Sequence, residues 1–208
     1  MAAVRQSIVR NAIGLGMFAV ITAGVIAVTQ AVTAERIADQ IRRAEAAALF
    51  EIIPEQQHDN DLLTDTVELA PDPRLGNRKP VDAWVARKEG RPAGVIIPVT
   101  ATEGYSGNIR LLVGIDPDGE VLGVRVTAHR ETPGLGDKIE LRKSAWILSF
   151  NGRSLGNPER DEWTVIRDGG VFDQFTGATI TPRAVVKAVR QTLDYFRDHQ
   201  QLLLGDDV

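Results

Sequence analysis

Residues 11–34 form a run of 24 residues without a charged side chain, rich in Ala, Ile, Val and Gly. A helix of that length spans about 36 Å. The hydrocarbon core of a bilayer is about 30 Å thick, so the run is long enough to cross a membrane once with some tilt. We therefore predict an N-terminal tail and transmembrane anchor over residues 1–34.

A cleaved signal peptide is the alternative for this run, because residues 32–34 read Val-Thr-Ala, an acceptable cleavage site. The apolar part, residues 12–28, is longer than the roughly 7–15 residues of a signal-peptide core, which favours a retained anchor. Orientation is not decided by charge, because arginines both precede and follow the run: Arg5, Arg10, Arg36, Arg42 and Arg43.

Composition narrows the chemistry of the rest of the chain. There is no cysteine, which excludes disulfides, Cys-ligated zinc, iron–sulfur clusters held by this chain and a thioether-linked flavin. With three histidines, a multi-histidine metal site is not expected. The net charge is −4 and no Lys/Arg-rich block occurs, which argues against nucleic-acid binding.

Periodicity beyond the anchor predicts helices and strands in mixed order. Residues 35–53 show a helical pattern that Pro54 ends, and it continues from the anchor as a juxtamembrane helix. Alternating or short apolar runs predict strands at 66–69, 81–88, 94–100, 109–115, 120–127 and 163–167. A Pro- and Gly-containing turn at 116–119 joins two of them, so three or four adjacent strands form an antiparallel sheet.

Two further helices are expected in the second half of the chain. One covers residues 137–150, and the other begins with Thr181 as N-cap and Pro182 as first helical residue and runs to Gly205. The fold class is therefore α+β rather than a regular βαβ repeat. We divide the chain into the anchor at 1–34, a juxtamembrane helix and surface excursion at 35–80, and a domain core at 81–208.

Small and hydroxyl residues precede the last helix: Thr176, Gly177, Ala178 and Thr179. Free amides and the positive end of the helix dipole favour an anion at this position, and the small side chains allow close approach. An ordinary capped helix after a turn would have the same composition. Thr179 is the unusual element, since it places a hydroxyl where a phosphate would dock.

A second loop, residues 129–136, reads His-Arg-Glu-Thr-Pro-Gly-Leu-Gly, and its backbone can approach a ligand closely. His129 is expected to be a structural hydrogen-bonding residue rather than a proton relay, because the sequence shows no carboxylate that must adjoin it. The Gly104-Tyr105-Ser106-Gly107 segment is expected to be a bend between strands.

Together, the 104–107 segment, the 129–136 loop and the motif Asp173-x-x-Thr176-Gly177-Ala178-Thr179 occur in the order and spacing of one family. The chain resembles the G subunit of the Rnf (Rsx) ion-translocating electron-transport complex. It is also similar to the C subunit of the sodium-translocating NADH:quinone reductase, which has the same FMN-binding domain.

The resemblance implies a covalent cofactor site. Thr179 would carry FMN as a phosphoester made by a flavin transferase, with Thr176, Gly177 and Ala178 around the phosphate. Four residues would lie near the isoalloxazine: Glu131, Thr132, Leu135 and Gly136. We add the hypothesis that the charge of Glu131 disfavours the one-electron-reduced, anionic flavin. No residue is expected to be catalytic and no metal is expected.

The resemblance further implies a flavoprotein that relays electrons within a complex coupling ferredoxin and NAD chemistry to ion movement. Its partners would be the other Rnf subunits and the bacterial inner membrane, with the C-terminal domain in the periplasm. The alternative is a membrane-anchored assembly or sensor domain that is never flavinylated. A hydrolase using Thr179 as nucleophile is a weaker alternative, because no general base is evident nearby.

Overall fold

The computed structural model describes residues 2–205, with the side chains of the first helix described for 8–34, 36, 37, 40 and from 46 onward. The predicted core domain therefore extends three residues beyond the described part, and the side chains of Arg42 and Arg43 lie outside it. The chain divides into two compact units, Met1–Ala44 and Glu45–Val208. The domain boundaries that we place after residues 34 and 80 stay predictions.

The first helix, α1, runs without interruption over Ala2–Ile52, so the predicted juxtamembrane helix does continue the apolar run. Within the described residues, one helical stretch, Ile8–Ala34, is long and apolar enough to cross a membrane. Its large apolar side chains are exposed, as expected for a segment that has no protein core around it.

Five antiparallel strands follow in simple meander order, each paired with the next. They are β1 (Thr66–Leu69), β2 (Val81–Lys88), β3 (Arg91–Gly104), β4 (Gly107–Ile115) and β5 (Val121–Ala128). The α+β class is confirmed, and the short strand near residue 66 joins the same sheet as the others. The predicted turn between β4 and β5 is present, where the Asp116 carbonyl accepts the Gly119 amide at 3.1 Å.

Side chains alternate between the two faces of the sheet along each strand, and both faces are buried. Ala83 and Val85 of β2 face the larger core, whereas Ala86 faces the smaller one. The larger core also contains the apolar face of the last helix, α2 (Ile180–Leu204), and the smaller one the end of α1 from Ala48 onward. The sheet is therefore covered by helix on both faces, which explains why its central strands are nearly continuous apolar runs.

The prediction of one helix over 137–150 is wrong. The segment forms two short 3₁₀ helices, Gly136–Ile139 and Ala145–Phe150, and Glu140 between them has extended backbone angles. Ser144 starts the second one by accepting the Trp146 amide at 3.2 Å. The apolar residues that suggested a helix are buried, but burial alone does not specify which helical geometry delivers them to the core.

The strand predicted over 163–167 is also wrong. Val165 makes only an isolated parallel bridge with Phe172, and a 3₁₀ turn, Ile166–Asp168, follows it. The glycine pair after the turn folds the chain back so tightly that a Cβ on Gly170 would lie 2.0 Å from the Thr164 carbonyl oxygen. Two further 3₁₀ turns lie at Glu55–Gln57 and Arg160–Glu162.

Candidate functional site

The loop that follows β5 is held in a tight turn by its own backbone. The amides of Leu135 and Gly136 both donate to the Thr132 carbonyl, at 3.1 and 3.0 Å. Gly134 has a φ of 79° and donates its amide to the Asp137 carboxylate at 2.8 Å. Residues 132–136, Thr-Pro-Gly-Leu-Gly, therefore form a compact turn beside the start of α2, which we call the ledge.

The segment before α2 forms a second tight turn. Ala178 donates its amide to the Phe175 carbonyl at 3.0 Å, and Gly177 between them has a φ of 82°. Upstream, the Trp146 indole donates to the Asp173 carbonyl at 2.8 Å and its ring meets Phe175 edge-on. The buried aromatic side chains thus fix the path of the chain up to the glycine.

The helix begins earlier than the sequence suggests, and Thr181 is not its N-cap. The first helical residue is Ile180, and the Thr179 carbonyl accepts the Arg183 amide at 3.3 Å. The Thr181 side chain is fully buried and its hydroxyl donates to Glu131 instead of accepting an amide. A buried carboxylate attracts that hydroxyl more strongly than a helix amide does, which explains why the capping prediction is wrong.

Glu131 is only 4% exposed. Its carboxylate connects the loop after β5 with the β3–β4 turn and with the start of α2. One of its carboxylate oxygens accepts the Ser106 amide, in the β3–β4 turn, at 2.9 Å. The other accepts the Thr181 hydroxyl. A Cβ on Gly136 would lie 2.9 Å from both the Glu131 Cβ and the Thr181 Oγ1, so the neighbouring ledge has room only for glycine.

A cavity of about 330 Å³ opens between the ledge, the turn and the start of α2. That volume lies at the lower end of the range of ligand pockets, ~300–1,000 Å³. Seven of the eight predicted site residues line it: Glu131, Thr132, Leu135, Gly136, Gly177, Ala178 and Thr179. The eighth, Thr176, is exposed and is not in the lining.

Three lining residues carry no predicted cofactor role: Tyr105, Ile180 and Thr181. Tyr105 lies in the Gly-Tyr-Ser-Gly segment that contributes to the family resemblance, so the motif itself was the signal for it. A second cavity of about 230 Å³, near the other end of α2, contains none of the predicted residues.

Among the residues that the structure describes, no Lys or Arg lines the cavity, and several lining residues have unpaired backbone amides. In the part of the chain that the structure describes, the amides of Gly177, Thr179 and Ile180 have no hydrogen-bond partner. Arg183, in the first turn of α2, is bound to Asp168 by two hydrogen bonds of 2.6 and 3.0 Å. That contact lowers the pKa of the Asp168 carboxyl and raises the pKa of Arg183.

Thr179 has a hydroxyl that the described residues leave without a hydrogen bond. Its backbone is already helical, with φ −75° and ψ −28°, and its side chain makes no capping bond. The residue is half-buried at the cavity wall. Thr179 therefore combines a position in the cavity lining with a hydroxyl that has no partner among the described residues.

His129 makes hydrogen bonds with both ring nitrogens, as expected for a structural residue, and one partner is a carboxylate that the sequence did not indicate. Its Nε2 lies 2.7 Å from a Glu140 carboxylate oxygen, and its Nδ1 lies 3.0 Å from the amide nitrogen of Glu131. Eleven residues separate His129 from Glu140, and the two meet because the segment between them is a tight ledge rather than the start of a long helix.

Two family models match the chain: an FMN-binding domain over residues 104–194 and an RnfG N-terminal region over residues 1–52. The first match contains every residue of the cavity lining. Together the two matches cover strands β4 and β5, most of α2 and the whole of α1.

Relatives resemble the chain over nearly its full length. The G subunit of the ion-translocating oxidoreductase complex of Pseudomonas aeruginosa is 48% identical over 99% of this chain and 96% of its own. The protein of the same name from Vibrio cholerae is 48% identical over 93% of this chain and 92% of its own. That of Shewanella loihica is 47% identical over 97% and 95%. The chain therefore belongs to the family of G subunits of the ion-translocating oxidoreductase complex.

Proposed function

We propose that the chain is the membrane-anchored flavoprotein subunit of an ion-translocating ferredoxin:NAD oxidoreductase complex, and that it relays electrons through FMN esterified to Thr179. Family membership and the FMN-binding match support the electron-transfer role. The observation that carries the covalent assignment is a free threonine hydroxyl at the wall of a cavity lined by amide donors.

The start of α2 suits a phosphodiester better than a phosphate dianion. Esterification leaves the phosphate with a charge of about −1, which unpaired amides and the helix dipole stabilise without a lysine. The described lining contains no Lys or Arg, and Gly177, with its positive φ, leaves the backbone open to close approach. Thr176 stays in the proposal as an exposed neighbour that borders the phosphate.

The rest of the cavity suits a flat, partly apolar ring. Tyr105, Leu135 and Ile180 line it and are 68%, 41% and 45% exposed, so they offer apolar surface to a ligand. Thr132 and the buried Glu131 supply polar groups on the same wall. FMN would supply the redox chemistry, while these residues would hold the ring and exclude water from its inner face.

The two threonines of the motif and Thr181 just after it differ in how available their hydroxyls are. Thr181 is fully buried and bonded to Glu131, and Thr176 lies outside the cavity lining. Thr179 alone among them combines a cavity position with a hydroxyl that has no partner in the described residues. Attachment would form a bond between Thr179 Oγ and the FMN phosphorus while a flavin transferase breaks the phosphoanhydride bond of an activated flavin dinucleotide; the other phosphate half of the donor leaves as a nucleoside monophosphate and the hydroxyl proton is released.

The partners follow from the family. We infer that α1 crosses the bacterial inner membrane once over Ile8–Ala34 and places the domain in the periplasm. We infer that the other subunits of the Rnf complex pass electrons to and from the flavin. Covalent attachment would suit a compartment that lacks free flavin, because it prevents loss of the cofactor.

Intact mass spectrometry of the chain purified from its native host tests the proposal. The expected mass is that of the polypeptide plus one FMN less one water, with the added mass on the peptide that contains Thr179. Denatured protein should also retain flavin fluorescence. A native protein without flavin would overturn the redox role and support the alternative of an anchored assembly or sensor domain.

A further inference from the structure

The geometry points to His129 as a positioning residue of the flavin pocket: it binds the backbone amide of Glu131 and thereby holds the Glu131 carboxylate against both Ser106 and Thr181. The inference rests on the proposed FMN site and assigns a residue outside the cavity lining to its construction. Three sets of contacts support it: those of the His129 ring, those of Glu140 and those of the Glu131 carboxylate.

The hydrogen bonds define which ring nitrogen of His129 carries the proton. The Glu131 amide is always a donor, and it lies 3.0 Å from Nδ1, so Nδ1 must accept and must be unprotonated. Nε2 lies 2.7 Å from the Glu140 carboxylate, which accepts a hydrogen bond from the protonated Nε2. The ring is therefore the neutral tautomer with its proton on Nε2, donating in one direction and accepting in the other.

Glu140 is itself held in place, so it can orient the ring. Its second carboxylate oxygen accepts a hydrogen bond from Arg142. The Arg142 guanidinium keeps the pKa of the Glu140 carboxyl below its ordinary value against the opposing effect of burial, and His129 adds to this. The side chains of His129 and Glu140 are 12% and 16% exposed, which protects the contact from competing water.

The amide that His129 binds belongs to the residue that connects the walls of the cavity. The Glu131 carboxylate accepts the Ser106 amide from the β3–β4 turn and the Thr181 hydroxyl from α2. Any rotation of the Glu131 backbone would move these two contacts at once. Gly136 packs closely on Glu131, since even a Cβ at position 136 would lie 2.9 Å from the Glu131 Cβ.

Alternative roles for His129 fit the contacts less well. His129 does not line the cavity, so its side chain would not contact the isoalloxazine ring directly. Its two nitrogens are both engaged by protein groups, so it has no free site with which to pass a proton to a ligand. A fixed donor–acceptor bridge is the function that these contacts allow.

Two conservative variants separate the two halves of the bridge. Asn in place of His129 carries its acceptor on the atom bonded to Cγ, where Nδ1 lies, so His129→Asn should keep the bond to the Glu131 amide. Gln places its amide group one bond further out, near the position of Nε2, so His129→Gln should keep the contact with Glu140 and lose the one with Glu131. If His129 only filled space, His129→Asn would have no advantage over His129→Gln.

The first measurement uses full-length, flavin-free wild-type protein with ¹⁵N-labelled histidine in detergent. The His129 signal, identified by its loss in His129→Asn, should show an unprotonated Nδ1 and a protonated Nε2. In flavin-free samples labelled with ¹⁵N-serine, the Ser106 amide resonance should move in His129→Gln and stay near its wild-type position in His129→Asn. A proton on Nδ1 in the wild type would overturn the proposal whether or not either variant folds.

The second measurement uses flavin-loaded protein from the native host. His129→Gln should shift the visible circular dichroism of the flavin and its midpoint potential, whereas His129→Asn should preserve both. Equal shifts in the two variants, or no shift in either, would overturn the positioning role. Wild-type protein without flavin would instead overturn the proposed function, and the flavin-free measurement would still decide the role of His129.

Discussion

Thr179 differs from the threonines on either side of it in what its hydroxyl contacts. The described structure gives it no partner, whereas Thr181 donates to Glu131 and Thr176 lies outside the cavity. A residue that contributes no capping bond can be changed at little cost to the fold. Its importance should therefore appear in cofactor attachment and not in stability.

We expect Thr179→Ala to abolish covalent flavin and to change the free energy of unfolding by less than about 0.5 kcal/mol, because no hydrogen bond is lost. In-gel flavin fluorescence after denaturation and chemical unfolding measure the two effects. Thr176→Ala is the matched control and should remain flavinylated. Covalent flavin on Thr179→Ala would show that another residue is the attachment point.

Glu131 has a charge that no lysine or arginine in the cavity lining balances. Glu131→Gln should raise the midpoint potential of the bound flavin, by roughly tens of millivolts, since removing a negative charge favours the reduced form; 59 mV corresponds to about 1.4 kcal/mol for one electron. Gln can still accept the Ser106 amide and donate to Thr181, so the fold should persist. Redox titration measures the shift, and an unchanged potential would remove the electrostatic role of Glu131.

At the scale of elements, the end of α1 packs closely on the sheet. Gly114 and Gly123 are paired across β4 and β5, and both lie beneath Ile52. A Cβ on Gly114 would lie 2.2 Å from the Ile52 Cγ2, whereas a Cβ on Gly123 would meet Ile52 at an ordinary 3.6 Å. The β-branched Ile52 cannot move this methyl group without moving the helix.

Gly114→Ala should therefore destabilise the domain by about 1–3 kcal/mol, the usual cost of overpacking a filled core. Gly123→Ala is the control and should cost clearly less, although it places the same methyl group on the neighbouring strand. Urea unfolding of both full-length variants gives the comparison. Equal stabilities would mean that the end of α1 does not pack on the sheet as described.

At the scale of the whole domain, ion pairs connect segments far apart in sequence. Arg74, in the excursion before β2, binds Asp72 and, through a second nitrogen, Asp198 near the end of α2; each contact is 2.8 Å. Arg74 also lies over the Tyr195 ring, 5.0 Å from its centroid. The hydrogen bond from Arg74 holds the pKa of the Asp72 carboxyl below its ordinary value of 3.8 and outweighs the effect of burial.

The sign of this shift predicts a loss of stability in acid. A carboxyl group with a lowered pKa in the folded state stabilises the fold above its unfolded pKa, and the effect disappears as the pH falls through the folded pKa. Asp72→Asn should therefore cost about 1 kcal/mol at pH 7 and progressively less below about pH 4. Unfolding at several pH values measures this, with Asp82→Asn as the control on an exposed carboxylate. A cost independent of pH would contradict the ion-pair explanation.

The whole molecule also has a topology that can be tested. If α1 crosses the inner membrane once with its N-terminus in the cytoplasm, a C-terminal fusion to alkaline phosphatase should be active and a fusion to a cytoplasm-dependent fluorescent protein should be dark. The reverse pattern would place the domain in the cytoplasm. Loss of residues 1–34 from the mature chain would instead support a cleaved signal peptide.

Local sequence was sufficient for several features of this protein. An uncharged run of 24 residues specifies a long apolar helix, because a single segment satisfies its own backbone in an apolar medium only as a helix. Alternating apolar residues specify the strands, and the Pro- and Gly-containing turn specifies the β4–β5 hairpin. The family resemblance that the motifs carry indicated seven residues that line one cavity, and the glycines of the motifs allow the tight turns that bring them there.

Only the tertiary structure decided the features that depend on distant residues. The segment 136–150 forms two short 3₁₀ helices instead of one helix, with the extended Glu140 between them reaching His129. Thr181 is not a cap because the buried Glu131, 50 residues earlier, binds its hydroxyl. In both cases the local pattern allowed more than one backbone, and the observed one brings a side chain to a distant partner: Glu140 to His129 in a partly buried contact, and Thr181 to Glu131 in a buried one.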